Sequence, residues 1–310
     1  MEAYLKDLLI MNRKNLVYKL AVKLISLFYW PPIRAKAYRE SRLKDNPFPD
    51  VLRNACMLPQ LKDSIDTVVL GSSHAHYGFH AEESIFNLGG TSCDLYHSYE
   101  LYRWLDNSGF EKVKTMILFY DVFSPGFVLE KTSDALLHIP CEICFGIPAR
   151  DELRGVSAKT KYLMEERTKY HYKNQIPDMT WRGNGDHHVD MSWIDLDTRI
   201  AGHLKHCWRN NHQTEYVRKM LDLAKVRSDR FIVVLPPLRA DYREKLKESP
   251  RALFPELFRL ASEEPMLELL DYHDCLEFSD EDFIDYDHLN ARGAKKLAQM
   301  INNYRGTPRG

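Results

Sequence analysis

The chain has 310 residues, of which 44% are hydrophobic and 28% charged, with a formal net charge of −1. This composition supports a packed core, argues against wholesale disorder and lacks the basic surplus that nucleic-acid binding calls for. A chain of this length holds one large α/β domain or two small ones.

Residues 3–30 read as a helix that Pro31-Pro32 stops. Leu16, Leu20, Leu24, Leu27 and Phe28 give it a broad apolar face, and Lys19, Lys23 and Ser26 form a narrow polar stripe. Residues 11–44 carry nine basic side chains against Glu40 alone, a local excess of +8. The apolar run 16–30 is broken by two lysines and is shorter than the ~20 residues of a spanning helix. Glu2, Lys6 and Asp7 do not suit a secretory leader. The expectation is a cytoplasmic protein with a basic amphipathic arm over residues 1–45. That arm either packs on its own domain or is drawn to the anionic inner face of a membrane.

Thr67-Val68-Val69-Leu70 is a short continuous apolar run, as a buried parallel strand would be, and it ends in Gly71-Ser72-Ser73. Phe86-Asn87-Leu88 reads as a second strand closed by Gly89-Gly90, residues 92–105 as helix, and residues 115–120 as a third strand. Residues 150–212 are polar and aromatic and read as an insertion with helical pieces. Residues 215–225 read as helix and 231–235 as strand before Pro236-Pro237; 255–260 and 266–270 are weaker segments, and 289–304 form the last helix. Alternating strands and helices predict a three-layer α/β/α sandwich with a mostly parallel sheet, as one domain over residues 46–310.

Three pieces of sequence carry candidate chemistry. In Gly71-Ser72-Ser73-His74, a tight turn after a strand presents a serine at the carboxyl edge of the sheet, although serine also suits a helix cap. In Asp285-Tyr286-Asp287-His288, a carboxylate three residues before a histidine can accept its Nδ1–H and leave Nε2 facing out. Asn87-Leu88-Gly89-Gly90 is a turn whose N–H groups, with the Asn87 amide, could meet a developing oxyanion. His74 and His76 are candidates for substrate contact beside the serine, with no carboxylate partner in evident register.

Other clusters point less clearly to function. Cys141 and Cys144 form one CxxC without the second ligand pair of a zinc site, and the six cysteines have the scatter of free thiols. Asp186-His187-His188-x-Asp190 has metal-like composition but reads as a solvated loop, and His203 and His206 on a helix either line a cleft or cover the sheet. No metal or cofactor is assigned.

The order of the three pieces resembles the SGNH (GDSL-like) hydrolase superfamily, and within it bacterial members linked to surface-polysaccharide or teichoic-acid modification. The likeness runs from about Thr67 to Tyr304. It implies a flavodoxin-like sandwich with Ser73 as nucleophile, His288 as base and Asp285 as its orienting carboxylate. It also implies an oxyanion hole around Ser73, Asn87, Gly89 and Gly90, with Ser92 competing for the second-block position. The third block, Gly-x-Asn-Asp, is missing: the chain reads Asp121-Val122-Phe123-Ser124, with Ser124 a candidate substitute. The activity implied is a serine-dependent esterase or O-acyl(acetyl)transferase on a glycan or glycan precursor. The alternative is a catalytically weak accessory protein of polysaccharide assembly.

Overall fold

The computed structural model describes Leu43, residues 45–185, Ser192, and residues 194–209 and 211–306. The expected helix over residues 3–30, nearly all of the basic stretch 11–44, and His187 and His188 lie outside the described residues.

Five parallel strands form one sheet: β1 (Thr67–Leu70), β2 (Ile85–Asn87), β3 (Thr115–Phe119), β4 (Arg230–Leu235) and β5 (Leu267–Asp271). Their order is β2-β1-β3-β4-β5, the doubly wound arrangement in which the chain turns from one side of β1 to the other. Eleven helices are described around it. They are α1 (Pro49–Leu61), α2 (Ser73–Gly78), α3 (Leu95–Asn107), α4 (His138–Phe145), α5 (Ala158–Lys173) and α6 (Leu196–Arg209). The rest are α7 (Thr214–Arg227), α8 (Ala240–Leu246), α9 (Pro250–Leu253), α10 (Pro255–Glu263) and α11 (Ala291–Arg305).

The strands are continuous apolar runs because both faces of the sheet are covered. Val68, Leu70, Met116, Leu118, Phe231, Val233 and Leu235 pack with side chains of α1, α3, α7 and α10 in one core. The intervening Val69, Ile117, Phe119, Ile232 and Val234 join Ala75 of α2 and Leu297, Ala298 and Ile301 of α11 in a second core. That alternation is the period of two of a strand, read out on both faces.

Local boundaries differ from the sequence expectation by a few residues. The helix expected from Ser92 begins at Leu95, because Asp94 caps it by accepting the His97 N–H at 2.9 Å. The weak segments 255–260 and 266–270 are helix α10 and strand β5. The insertion holds α5 and α6, and of the α5 side chains only Thr168 is buried.

Helix α11 anchors the loop before it. Asn290 accepts the N–H groups of Arg292 and Gly293, and Ala294, Leu297, Ala298 and Ile301 form the buried stripe at helical spacing. Burial of each of the larger aliphatic side chains contributes about 1.5–3 kcal/mol. An antiparallel bridge between Phe283 and Leu289 closes the loop, and the Ile284 N–H donates to the His288 carbonyl at 2.9 Å. No helix among the described residues is long and apolar enough to cross a membrane.

Candidate active site

The carboxyl ends of β1 and β3 flank the point where strand order reverses, the usual ligand position in open α/β sheets. Gly71 takes the chain out of β1 with φ +134°, and a Cβ there would lie 2.9 Å from the Cβ of Phe119. Only glycine fits this close approach to β3. Ser72 then caps α2: its hydroxyl accepts the His74 N–H at 3.2 Å and donates to Asp121 Oδ2. With Ser72 occupied by the cap, Ser73 at the first helical position is left to face the loop before α11.

There Ser73 Oγ lies 2.9 Å from His288 Nε2. His288 Nδ1 lies 2.8 Å from Asp285 Oδ2, and Asp285 Oδ1 accepts the His288 N–H at 2.8 Å and the Asp287 N–H at 3.0 Å. Burial works to raise the Asp285 pKa, but the bond to His288 and its charge hold it below the ordinary carboxylate value. An ionised Asp285 accepts a hydrogen bond from Nδ1–H, so the lone pair on Nε2 meets the Ser73 hydroxyl. The three residues named as nucleophile, base and orienter are therefore brought together, with Asp285 rather than Asp287 on the ring nitrogen.

Asp287 is buried and turned to other partners. Arg199 of α6 reaches it with Nε at 2.8 Å and Nη2 at 2.9 Å, and His74 Nε2 lies 2.9 Å from Oδ2. On its other nitrogen His74 lies 3.3 Å from Asp121 Oδ1. Burial disfavours the charged imidazole, yet Asp121 and then Asp287 push the His74 pKa up to about 10. The His74 ring stacks on His288, with centroids 4.7 Å apart and planes 25° from parallel. Next to it, His203 Nδ1 lies 2.7 Å from the Tyr242 hydroxyl, and burial pushes the His203 pKa down to about 3.

The oxyanion assignments need correction. The Asn87 amide donates to the carbonyls of Ala75 and Phe79 at 2.8 and 2.9 Å, so it ties α2 and the residue that follows it to β2. Gly89 N–H donates to Asn87 Oδ1 at 2.9 Å, and Gly90 N–H to the Gly71 carbonyl at 3.1 Å. All three groups are committed to the fold. A Cβ on Gly89 would meet His76 N at 2.7 Å, which accounts for glycine there. Among the described residues, the N–H groups of Ser73 and Ser92 have no acceptor. Ser92 adopts φ +56°, in a turn closed by the Cys93 N–H on the Gly90 carbonyl at 2.9 Å.

The substrate-contact assignments also change. His74 is buried and bonded on both ring nitrogens, and His76 is buried with Nε2 3.3 Å from Asp50. Ser124 Oγ accepts the Asp121 N–H at 2.8 Å, so it shapes the loop after β3. Asp121, Arg199 and Tyr242 carry no signal in the sequence, and His203 stands there only as a residue that lines a cleft or covers the sheet. Each is at least 39 residues from its partner, so no local spacing marks it.

Among the described residues, two His-carboxylate groups are close enough to hold a metal ion: His74 with Asp287 and His288, and His97 with Glu130 and His138. In each, an arginine already occupies the carboxylate: Arg199 on Asp287, and Arg150 Nη2 on Glu130 at 2.7 Å. In the second group, His97 bridges Asp94 at 2.7 Å and His138 at 2.9 Å. Cys141 and Cys144 lie on α4 as free thiols, and burial raises both pKa values.

The architecture and the Ser73–His288–Asp285 geometry define a three-layer α/β protein with a serine-histidine-carboxylate constellation at its sheet edge. Neither the protein-family models nor the curated proteins contain a match to this chain.

Proposed function

We propose that the protein is a serine-dependent acyl-transferring enzyme, an esterase or an O-acyltransferase, acting through a Ser73 acyl-enzyme. The observation that carries this reading is the 2.9 Å approach of Ser73 Oγ to His288 Nε2, with Asp285 on the opposite ring nitrogen. Ser73 Oγ attacks the ester carbonyl carbon as His288 takes its proton, and the imidazolium is stabilised by Asp285. The Ser73 and Ser92 N–H groups are the donors assigned to the tetrahedral oxyanion. Collapse breaks the ester C–O bond, and the departing alkoxide takes the proton from His288. Water or a sugar hydroxyl then gives its proton to His288 and attacks the acyl carbon; the acyl–Ser73 bond breaks as Ser73 Oγ takes that proton back from His288, leaving either a free acid or a new ester.

A glycan or glycan precursor is the proposed substrate class, resting on the likeness to SGNH hydrolases. The half-exposed Phe127 ring, 5.1 Å from Phe123 and 5.2 Å from His206, adds an aromatic surface beside His74. The basic stretch 11–44 is proposed to hold the protein at an anionic membrane surface, reversibly and with salt sensitivity.

Fluorophosphonate labelling tests the chemistry. Labelling that disappears in Ser73→Ala supports it, and an unlabelled wild-type chain overturns it. Among acyl esters, product partition with and without sugar acceptors separates transferase from esterase. One observation favours the accessory-protein reading: where the family has an asparagine donor this chain has Asp121, whose Oδ2 accepts the Ser72 hydroxyl. Loss of such a donor typically costs on the order of 10²–10³ in rate. Failure of labelling in a folded wild-type chain would leave that reading standing.

A further inference from the structure

Asp285 and Asp287 are alternate residues of one loop, and both approach the same imidazole. Asp287, His74 and His288 each bring a polar atom within 4.8 Å of the others. Yet Nδ1 of His288 pairs with Asp285 at 2.8 Å. We propose that His74 and Arg199 form a cationic clamp on Asp287 that keeps it off His288, making both of them positioning residues for the base. This inference rests on the reading of Ser73 and His288 as nucleophile and base.

The clamp engages both carboxylate oxygens. Arg199 Nε takes Oδ1 at 2.8 Å, while Arg199 Nη2 and His74 Nε2 share Oδ2, each at 2.9 Å. Asp121, behind His74, completes an alternating row: Asp121, His74, Asp287, Arg199. With His74 protonated the four formal charges cancel, so the row can be buried as a unit. The same His74 ring is the floor under His288. Thus one side chain sets the plane of the base and occupies the carboxylate that would compete for its proton.

Without the clamp, Asp287 is a second acceptor for the His288 Nδ1–H. A turn of the ring towards it carries Nε2 away from Ser73, and a misplacement of about 1 Å at a reacting group can cost on the order of 10²-fold. Removing the negative charge of Asp287 as well removes the competitor. Rescue by this second substitution separates a clamp from mere packing.

The test is the rate of Ser73 labelling by a fluorophosphonate probe in the purified full-length chain. His74→Phe keeps a flat ring under His288 but removes both N–H groups; it is expected to slow labelling roughly 10- to 100-fold. His74→Phe with Asp287→Asn is expected to recover most of that rate. If His74→Phe fails to fold, Arg199→Gln, at the least buried member of the row, and Arg199→Gln with Asp287→Asn make the same comparison. Wild-type labelling in either single variant, or a double variant no faster than its single, overturns the clamp while leaving Ser73 chemistry intact. A wild-type chain that is not labelled at all defeats both readings.

Discussion

Ser72 and Ser73 are joined by one peptide bond and send their hydroxyls to different carboxylate systems: Ser72 to Asp121, and Ser73 through His288 to Asp285. The first hydroxyl caps a helix and the second faces a base. Substituting each in turn should therefore give different losses. Ser73→Ala should abolish fluorophosphonate labelling with little change in thermal midpoint. Ser72→Ala removes a cap worth ~1 kcal/mol and should lower stability by about that amount, with a far smaller effect on labelling. Equal loss of labelling in both variants would contradict the assignment of Ser73 as the sole nucleophile.

The two loop carboxylates should separate catalysis from stability. Asp285→Asn keeps the shape but removes the acceptor that sets the His288 tautomer, so ester turnover should fall by on the order of 10⁴. Asp287→Asn leaves Arg199 and His74 without their shared anion, and breaking such a buried pair typically costs about 3–5 kcal/mol. Urea unfolding and initial rates on the two variants test this split. A larger rate loss in Asp287→Asn than in Asp285→Asn would reverse it.

His74 gives a pH dependence of known sign. Its folded pKa is raised to about 10 by Asp121 and Asp287 against the opposing cost of burial. Its contribution to stability is then complete below about pH 6.5, the unfolded value, and is lost as pH rises towards 10. The urea midpoint should fall between pH 7 and pH 9.5. Asp121→Asn should flatten that slope, since it removes the larger of the two attractions. An unchanged slope would show that other groups dominate it.

A second buried network makes the opposite prediction at acid pH. Arg150 reaches Asp94 at 2.5 Å and Glu130 at 2.7 Å, and both carboxylates are fully buried. Burial opposes their ionisation, but His97 and Arg150 at Asp94, and Arg150 at Glu130, hold both pKa values below normal. Their contribution is present above the ordinary carboxylate range and is lost as pH falls through it and below. Arg150→Met should therefore destabilise the chain by about 3–5 kcal/mol at neutral pH, with a smaller penalty at pH 4. A constant penalty across that range would assign the loss to packing alone.

How much of this was legible before the fold is uneven, for physical reasons. The strands announced themselves as apolar runs because both faces of the sheet are covered, and Gly71-Ser72-Ser73 and Asp285-x-x-His288 are local patterns. Hydrogen-bond occupancy is not a local pattern. Gly89, Gly90 and Asn87 have the composition of an oxyanion turn, yet they spend their donors on Asn87, Gly71, Ala75 and Phe79. Asp121 and Arg199 escaped notice because strand order, and not spacing, brings them to His74 and Asp287. His74 itself was visible, but its charge depends on partners 47 and 213 residues away.

The separation of 215 residues between Ser73 and His288 has a consequence during synthesis. At typical elongation rates of about 5–20 residues per second, the serine leaves the ribosome roughly 10–40 s before its histidine. β1 and α2 can form in that interval, but Ser73 has no partner to take its proton. Under the proposed mechanism the nascent chain is then silent towards esters around it. Under that mechanism labelling begins only when the loop before α11 docks on the second core, so its gain would report that docking.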